Sequence, residues 1–210
     1  MSFSVAACLM CAGATIYGGI KKAGVAPGGS IAIVGIGGLG HIGTQLGKAM
    51  GYKIVAVDAK QSALDLVASY PLKPDACILA TDKSEDAVKK ISAAIKDDSP
   101  YPGVDAAVVA TDALPAFDFA TAITKKHGTM VVLGQPKEGV TLSYQTLIFR
   151  DIKVVGSLLA DTKLAQELVQ VVHDKGIQLK IKEWKIQDAE KMKQEYLTGK
   201  GDGKNVIVFD

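Results

Sequence analysis

Three glycines spaced as Gly35-x-Gly37-x-x-Gly40 follow the apolar run Ser30-Ile-Ala-Ile-Val and lead into a helical pattern. Asp58 stands 18 residues beyond Gly40, at the end of a second apolar run. The chemistry open to this set is main-chain chemistry. Gly35 permits a tight strand-to-helix turn, Gly37 leaves the backbone bare for a pyrophosphate, and Gly40 lets the helix pack close to the strand. Amide N–H groups at the helix start then face the phosphate charge. A carboxylate at Asp58 would accept hydrogen bonds from the adenosine ribose and repel a 2′-phosphate. That favours NAD over NADP, with the nearby Lys60 pulling slightly the other way. A bare glycine pattern is weak. With a strand before it, a helix after it and an acid near the expected offset, it reads as a dinucleotide-binding unit. The alternative is a glycine-rich turn that binds nothing.

The other reactive side chains make no second constellation. Cys8 and Cys11 form a C-x-x-C in apolar surroundings without a second pair, whereas a structural zinc needs four ligands. Cys8 reads as a packed thiol, and Cys77, in a strand pattern, as core. His41, beside the glycine loop, reads as a helix-surface histidine, with contact to the cofactor as the alternative. His127 and His173 have no partner pattern for a triad or a metal. Trp184 reads as a packing residue.

The elements that would position the loop alternate in type. Strands are expected at Ser30–Val34, Lys53–Val57, Ala76–Leu79, Val104–Val109, Thr129–Leu133 and Ile152–Val155. Helices are expected at Leu39–Met50, Lys60–Ser69, Asp82–Lys96 and Pro115–Thr124. This order predicts an α/β fold with a doubly wound parallel sheet in the Rossmann order 3-2-1-4-5-6. The texture changes after Gly156, with a helix at Thr162–Lys175, a strand at Gln178–Ile186, a helix at Asp188–Leu197 and a strand at Lys204–Phe209. The expected division is a nucleotide-binding domain with its entry helix over residues 1–157 and a short α/β C-terminal tail over 158–210.

Bulk properties narrow the class. The chain has 210 residues, 48% of them hydrophobic and 22% charged, as in ordinary globular proteins. Its net charge is +2 and its basic residues are scattered, so nucleic acid is not an expected partner. No apolar run is expected to span a bilayer, and the apolar start Met1–Ala14 lacks the basic flank of a signal peptide. Three cysteines point to a reducing, cytoplasmic setting.

Longer motifs resemble a known family. Ala6-Ala7, Cys11 and Ala12-Gly13-Ala14-Thr15-Ile16-Tyr17 are similar to a segment of the zinc-dependent alcohol dehydrogenases of the medium-chain dehydrogenase/reductase superfamily. So are Val25–Gly29, the loop Gly35-Ile-Gly-Gly-Leu-Gly-His-Ile-Gly43, Lys48-Ala-Met-Gly51, Val131–Gly134 and Val154–Ser157. The resemblance implies cofactor binding by Gly35, Gly37, Gly38, Leu39, Gly40 and Asp58. It implies nicotinamide contacts from Thr15, Ala110, Thr111, Leu133 and Gly134. It makes Cys11 the vestigial counterpart of the family's third catalytic zinc ligand.

In the family a barrel-like domain precedes this segment and carries the other two zinc ligands and the proton relay, which these 210 residues lack. Zinc is therefore expected only if another chain supplies ligands. Where the family often has a phosphate-binding arginine before its last strand, this chain has Lys204-Asn205, which puts that contact in doubt. The resemblance implies the NAD-binding portion of an alcohol dehydrogenase-like oxidoreductase, binding NAD(H) with little zinc-dependent activity alone. It also implies a homodimer or higher oligomer through Ile152–Val155. The alternative is a non-catalytic NAD(H)-binding regulatory or partner module.

Overall fold

The computed structural model describes residues 1–198 and 203–209. The chain opens with α1 (Phe3–Cys8), a π-helical turn (Leu9–Gly13) and α2 (Ala14–Lys22). Then come β1 (Ser30–Val34), α3 (Gly40–Ala49), β2 (Lys53–Asp58), α4 (Gln61–Ala68), β3 (Ala76–Leu79) and α5 (Ser84–Ile95). β4 (Val104–Val109), α6 (Leu114–Ile123), β5 (Thr124–Val132) and β6 (Lys153–Gly156) complete the main sheet. Its order is β3-β2-β1-β4-β5-β6. Every neighbouring pair is parallel. The expected doubly wound order is therefore found.

Alternation along the strands splits the core in two. Ile31 and Ile33 point to the face covered by Ile16, Tyr17 and Ile20 of α2, Ile42 and Leu46 of α3, and Leu64 of α4. Ala32 and Val34 point to the other face, against Ile91 of α5 and Phe117 and Ala120 of α6. Strands buried on both faces must read as apolar runs, and Ile31–Val34, Ile54–Val57 and Ala106–Val109 at the centre of the sheet do.

The tail adds α7 (Thr162–Lys175), β7 (Ile181–Lys185), a 3-10 turn (Ile186–Asp188), α8 (Ala189–Leu197) and β8 (Lys204–Val208). β7 and β8 pair in parallel as a separate two-stranded sheet. Leu168 and Val172 of α7 join the α2–α3 core, so the tail docks on the main sheet's layer. Of the tail expected over 158–210, residues 199–202 and 210 lie outside the described residues. Trp184 is buried as expected, and its indole N–H donates to Asn205 Oδ1 at 2.8 Å.

Four expectations need correction. Cys77 is exposed, because β3 is the edge strand and its far side has no cover. β5 begins at Thr124, five residues early, through a register shift opposite Val104 and Ala106. A Cβ on Gly128 would lie 2.8 Å from Asp105 O there, so the irregular stretch needs glycine. The segment Phe3–Lys22 is long and apolar enough, by length and composition, to cross a membrane. However, 61% of its most apolar window is buried inside the fold, through residues such as Ile16 and Tyr17. Fourth, His41 is fully buried rather than on a helix surface.

Candidate functional site

The glycine loop lies where β1 ends and the strand order reverses between β1 and β4, the place where open α/β sheets bind ligands. Gly35 N–H donates to Val57 O at 2.8 Å, which carries the ladder one residue past β1. Gly35 has a φ of 96°, and a Cβ on it would meet Thr111 Cβ at 2.8 Å. A Cβ on Gly40 would lie 2.0 Å from Gly35 O. Both positions thus require glycine for the turn itself. Gly37 differs: no atom lies within 4 Å of its would-be Cβ. Its missing side chain leaves open space above the loop rather than room for a neighbour. Leu39 is the N-cap residue of α3, and no side chain caps this helix start.

Asp58 closes the loop from β2. Its Oδ2 accepts from Ile36 N–H at 2.6 Å, and its Oδ1 accepts from Lys60 N–H at 2.8 Å. A carboxylate has about four acceptor directions, so two remain for hydroxyls. A cleft of about 310 Å³ beside it is lined by Gly35, Asp58, Ala80, Thr81, Thr111 and Pro115. A second cleft, of about 710 Å³, runs between Gly37 and Gly38 on one side and Met192, Tyr196, Lys204 and Asn205 of the tail on the other. Of the expected site residues, Gly35, Asp58 and Thr111 line the first cleft and Gly37 and Gly38 the second.

Thr15, Leu39, Gly40, Ala110, Leu133 and Gly134 line neither cleft. The ends of β4 and β5 nonetheless interlock beside Thr111. Ala110 N–H donates to Val34 O at 2.8 Å, and Leu133 N–H donates to Val109 O at 3.0 Å. A Cβ on Gly134 would lie 1.9 Å from Thr111 O. Leu133 is buried against Gly19 of α2, whose would-be Cβ lies 3.0 Å from its Cδ1.

Two contacts went unread in the sequence. Lys204 lies over the loop: a Cβ on Gly38 would be 2.8 Å from its Cδ and 3.7 Å from its Nζ. The tail thus does bring a cation to the glycine loop. His41 Nδ1 lies 2.9 Å from Gly37 O. Burial lowers the His41 pKa; the Gly37 bond opposes this, and the charges of Lys204 and Lys180 add to it. A lysine opening the last strand and a histidine one residue after the third glycine were the signals in the sequence, but neither says where its side chain goes.

Cys8 is buried, and burial raises its thiol pKa, with the Lys204 charge acting against that rise. Cys11 is exposed on the π-helical turn. Among the described residues no group of three or more His, Cys, Asp or Glu side chains is placed to hold a metal ion. His127 and Asp151 form an exposed pair at 2.9 Å.

The parallel order, the glycine turn at its switch point and the acid ending β2 define a doubly wound α/β fold of the Rossmann class. Residues 38–174 match the family model described as zinc-binding dehydrogenase, and the chain belongs to that family. An alcohol dehydrogenase of Geobacillus stearothermophilus is 30% identical over 210 residues, covering 100% of this chain and 59% of that protein. One from Rhizobium meliloti (strain 1021) is 28% identical, covering 99% of this chain and 58% of the relative. The chain thus spans under two thirds of the length of these curated relatives. Among solved structures, the alcohol dehydrogenase of Aeropyrum pernix superposes with a TM-score of 0.81 at 26% identity, over 97% of this chain and 57% of that one. Acetophenone reductase from Geotrichum candidum NBRC 4597, solved in complex with NAD, gives 0.81 at 23% identity over 98% and 55%, a likeness of fold.

Proposed function

We propose that this chain binds NAD(H) as the coenzyme-binding portion of an alcohol dehydrogenase-like oxidoreductase. The observation that carries the reading is the open space above Gly37, with the Asp58 carboxylate tied to the same loop. Bound NAD supplies a hydride acceptor at nicotinamide C4, for transfer from the carbon of a primary or secondary alcohol. The chain's own residues do the holding. Main-chain amides at the start of α3 and the Lys204 ammonium meet pyrophosphate charge. Asp58 receives the ribose hydroxyls and excludes a 2′-phosphate. Thr111 and Gly134, where β4 and β5 end, and Thr15 on α2 border the nicotinamide side.

The family's zinc chemistry does not follow from these residues. Cys11 is one ligand, and a catalytic zinc needs about three from protein. Calorimetric titration of the purified chain with NAD and NADP tests the reading. Binding of NAD with NADP much weaker is expected, and no binding of either defeats it. Turnover of short alcohols is expected to be slight without added partner chains.

A homodimer belongs to the same reading. β6 is one of the two edges of the main sheet, opposite β3, and beside it Tyr144, Ile148 and Phe149 are 61%, 69% and 66% exposed. An unpaired edge with apolar neighbours favours pairing with a second copy. Sedimentation at high concentration is expected to give a dimer, and a strict monomer counts against it.

A further inference from the structure

His41 is the second residue of α3, and nothing of it reaches solvent. Its main-chain N–H donates to Gly37 O at 3.2 Å, and its ring Nδ1 lies 2.9 Å from the same oxygen. A carbonyl oxygen can only accept, so the ring proton of this contact sits on Nδ1. The neutral ring then carries a bare lone pair at Nε2. The structure agrees: Nε2 is buried and has no hydrogen-bond partner among the described residues. The charged groups acting on the ring are Lys204 and Lys180, both cations. Neither favours a second proton on the imidazole. The rest of His41 is pinned as well, since its carbonyl accepts from Thr44 Oγ1 and from Gln45 Nε2, each at 3.1 Å.

The consequence lies in the peptide that follows Gly37. In a planar trans peptide the C=O and the next N–H point to opposite sides. Two donors from His41 draw the Gly37 carbonyl towards α3. The N–H of Gly38 is thereby turned away from the helix body, towards the open side of the loop. We propose that His41, as its Nδ1–H tautomer, is a positioning residue that fixes the Gly37–Gly38 peptide so that the loop presents its amide to a pyrophosphate. The role rests on the coenzyme reading above, but the tautomer and the peptide lock do not need a ligand to exist.

The test combines nitrogen-15 NMR of the histidine rings with binding of NAD, ADP and adenosine to the full chain. One ring is expected to be a neutral Nδ1–H tautomer at pH 7. An Nε2–H tautomer or a cation for the buried ring at pH 7 overturns the proposal. His41→Asn, whose amide can replace Nδ1–H, is expected to hold NAD within about threefold. His41→Leu is expected to weaken NAD and ADP roughly tenfold and leave adenosine unchanged. A folded His41→Leu chain that binds ADP like the parent, or loses adenosine equally, overturns it. If that variant does not fold, the ring spectra and His41→Asn decide. If the parent chain binds no dinucleotide, the coenzyme reading fails, while the tautomer is still settled by the spectra.

Discussion

The side-chain amide of Gln45 grips both polar groups of the Gln178 main chain: Nε2 donates to Gln178 O at 2.7 Å, and Oε1 accepts from Gln178 N–H at 3.0 Å. Gln45 is buried in α3, and Gln178 begins the approach to β7. This clamp fixes the tail to the nucleotide-binding layer, and so helps to set where Lys204 meets the loop. Replacing Gln45 with Leu keeps the volume and removes both hydrogen-bond partners of the Gln178 main chain. A loss of about 1–3 kcal/mol in urea unfolding is expected, together with faster hydrogen exchange across β7 and β8. Unchanged exchange there would show that the tail is held by its apolar contacts alone.

Gly37 and Gly40 separate binding from folding. Gly40→Ala drives a methyl into Gly35 O, at 2.0 Å, and is expected to destabilise the chain by about 3 kcal/mol or more. Gly37→Ala meets nothing within 4 Å and is expected to leave thermal unfolding almost unmoved. The same methyl occupies the space proposed for pyrophosphate, so NAD affinity should fall at least roughly tenfold. Paired melting curves and titrations check both outcomes.

Asp58→Asn keeps an acceptor for Ile36 N–H but removes the negative charge. Discrimination against NADP is expected to shrink by an order of magnitude or so, with a modest loss of NAD affinity. Asp58→Ala also strands Ile36 N–H, so it should loosen the loop and weaken both cofactors. The NADP-to-NAD ratio of the two variants distinguishes charge from loop geometry.

Asp105 gives the acid limb of stability. Burial raises its pKa, but hydrogen bonds from Ser30 N–H, Ser30 Oγ and Lys125 outweigh burial and hold it below its ordinary 3.8. A depressed carboxylate contributes stability that is present above 3.8 and fades as pH falls through its lower folded value. Lys125, flanked by Asp97 and Asp105, is raised above 10.5 despite burial, so its share is complete below 10.5 and fades at higher pH. Asp105→Ala should therefore melt earlier than the parent at pH 7, with the gap closing under acid. A gap constant with pH would assign the effect to packing.

The order of the main sheet was legible from the alternation of strand and helix patterns, and its central strands because strands buried on both faces must be written as apolar runs. The loop was legible because its glycines answer to fixed steric demands. What stayed hidden depends on neighbours far along the chain. Cys77 has a core residue's surroundings in sequence, yet β3 lies at an edge that only the assembled order reveals. His41 looks polar enough for a surface, and only the Gly37 carbonyl and the tail make a buried place for it. Lys204 reads as one lysine among 23, and its position over Gly38 follows from a parallel pairing of β7 with β8. The early start of β5 needed a register shift that periodicity does not encode.

The tie between Ser4 and Glu183, where Ser4 Oγ donates to Oε1 at 2.5 Å, joins residues 179 positions apart. α1 packs on β7 and β8, which are made last. During synthesis the first helix therefore leaves the ribosome long before its partners exist. Ser4 and Cys8, buried in the finished fold, must wait uncovered until those strands emerge. Contacts this distant are slow to close and leave a window for aggregation. The order of translation thus makes the earliest segment of this chain the last to be sheltered, and the one with most to gain from a chaperone.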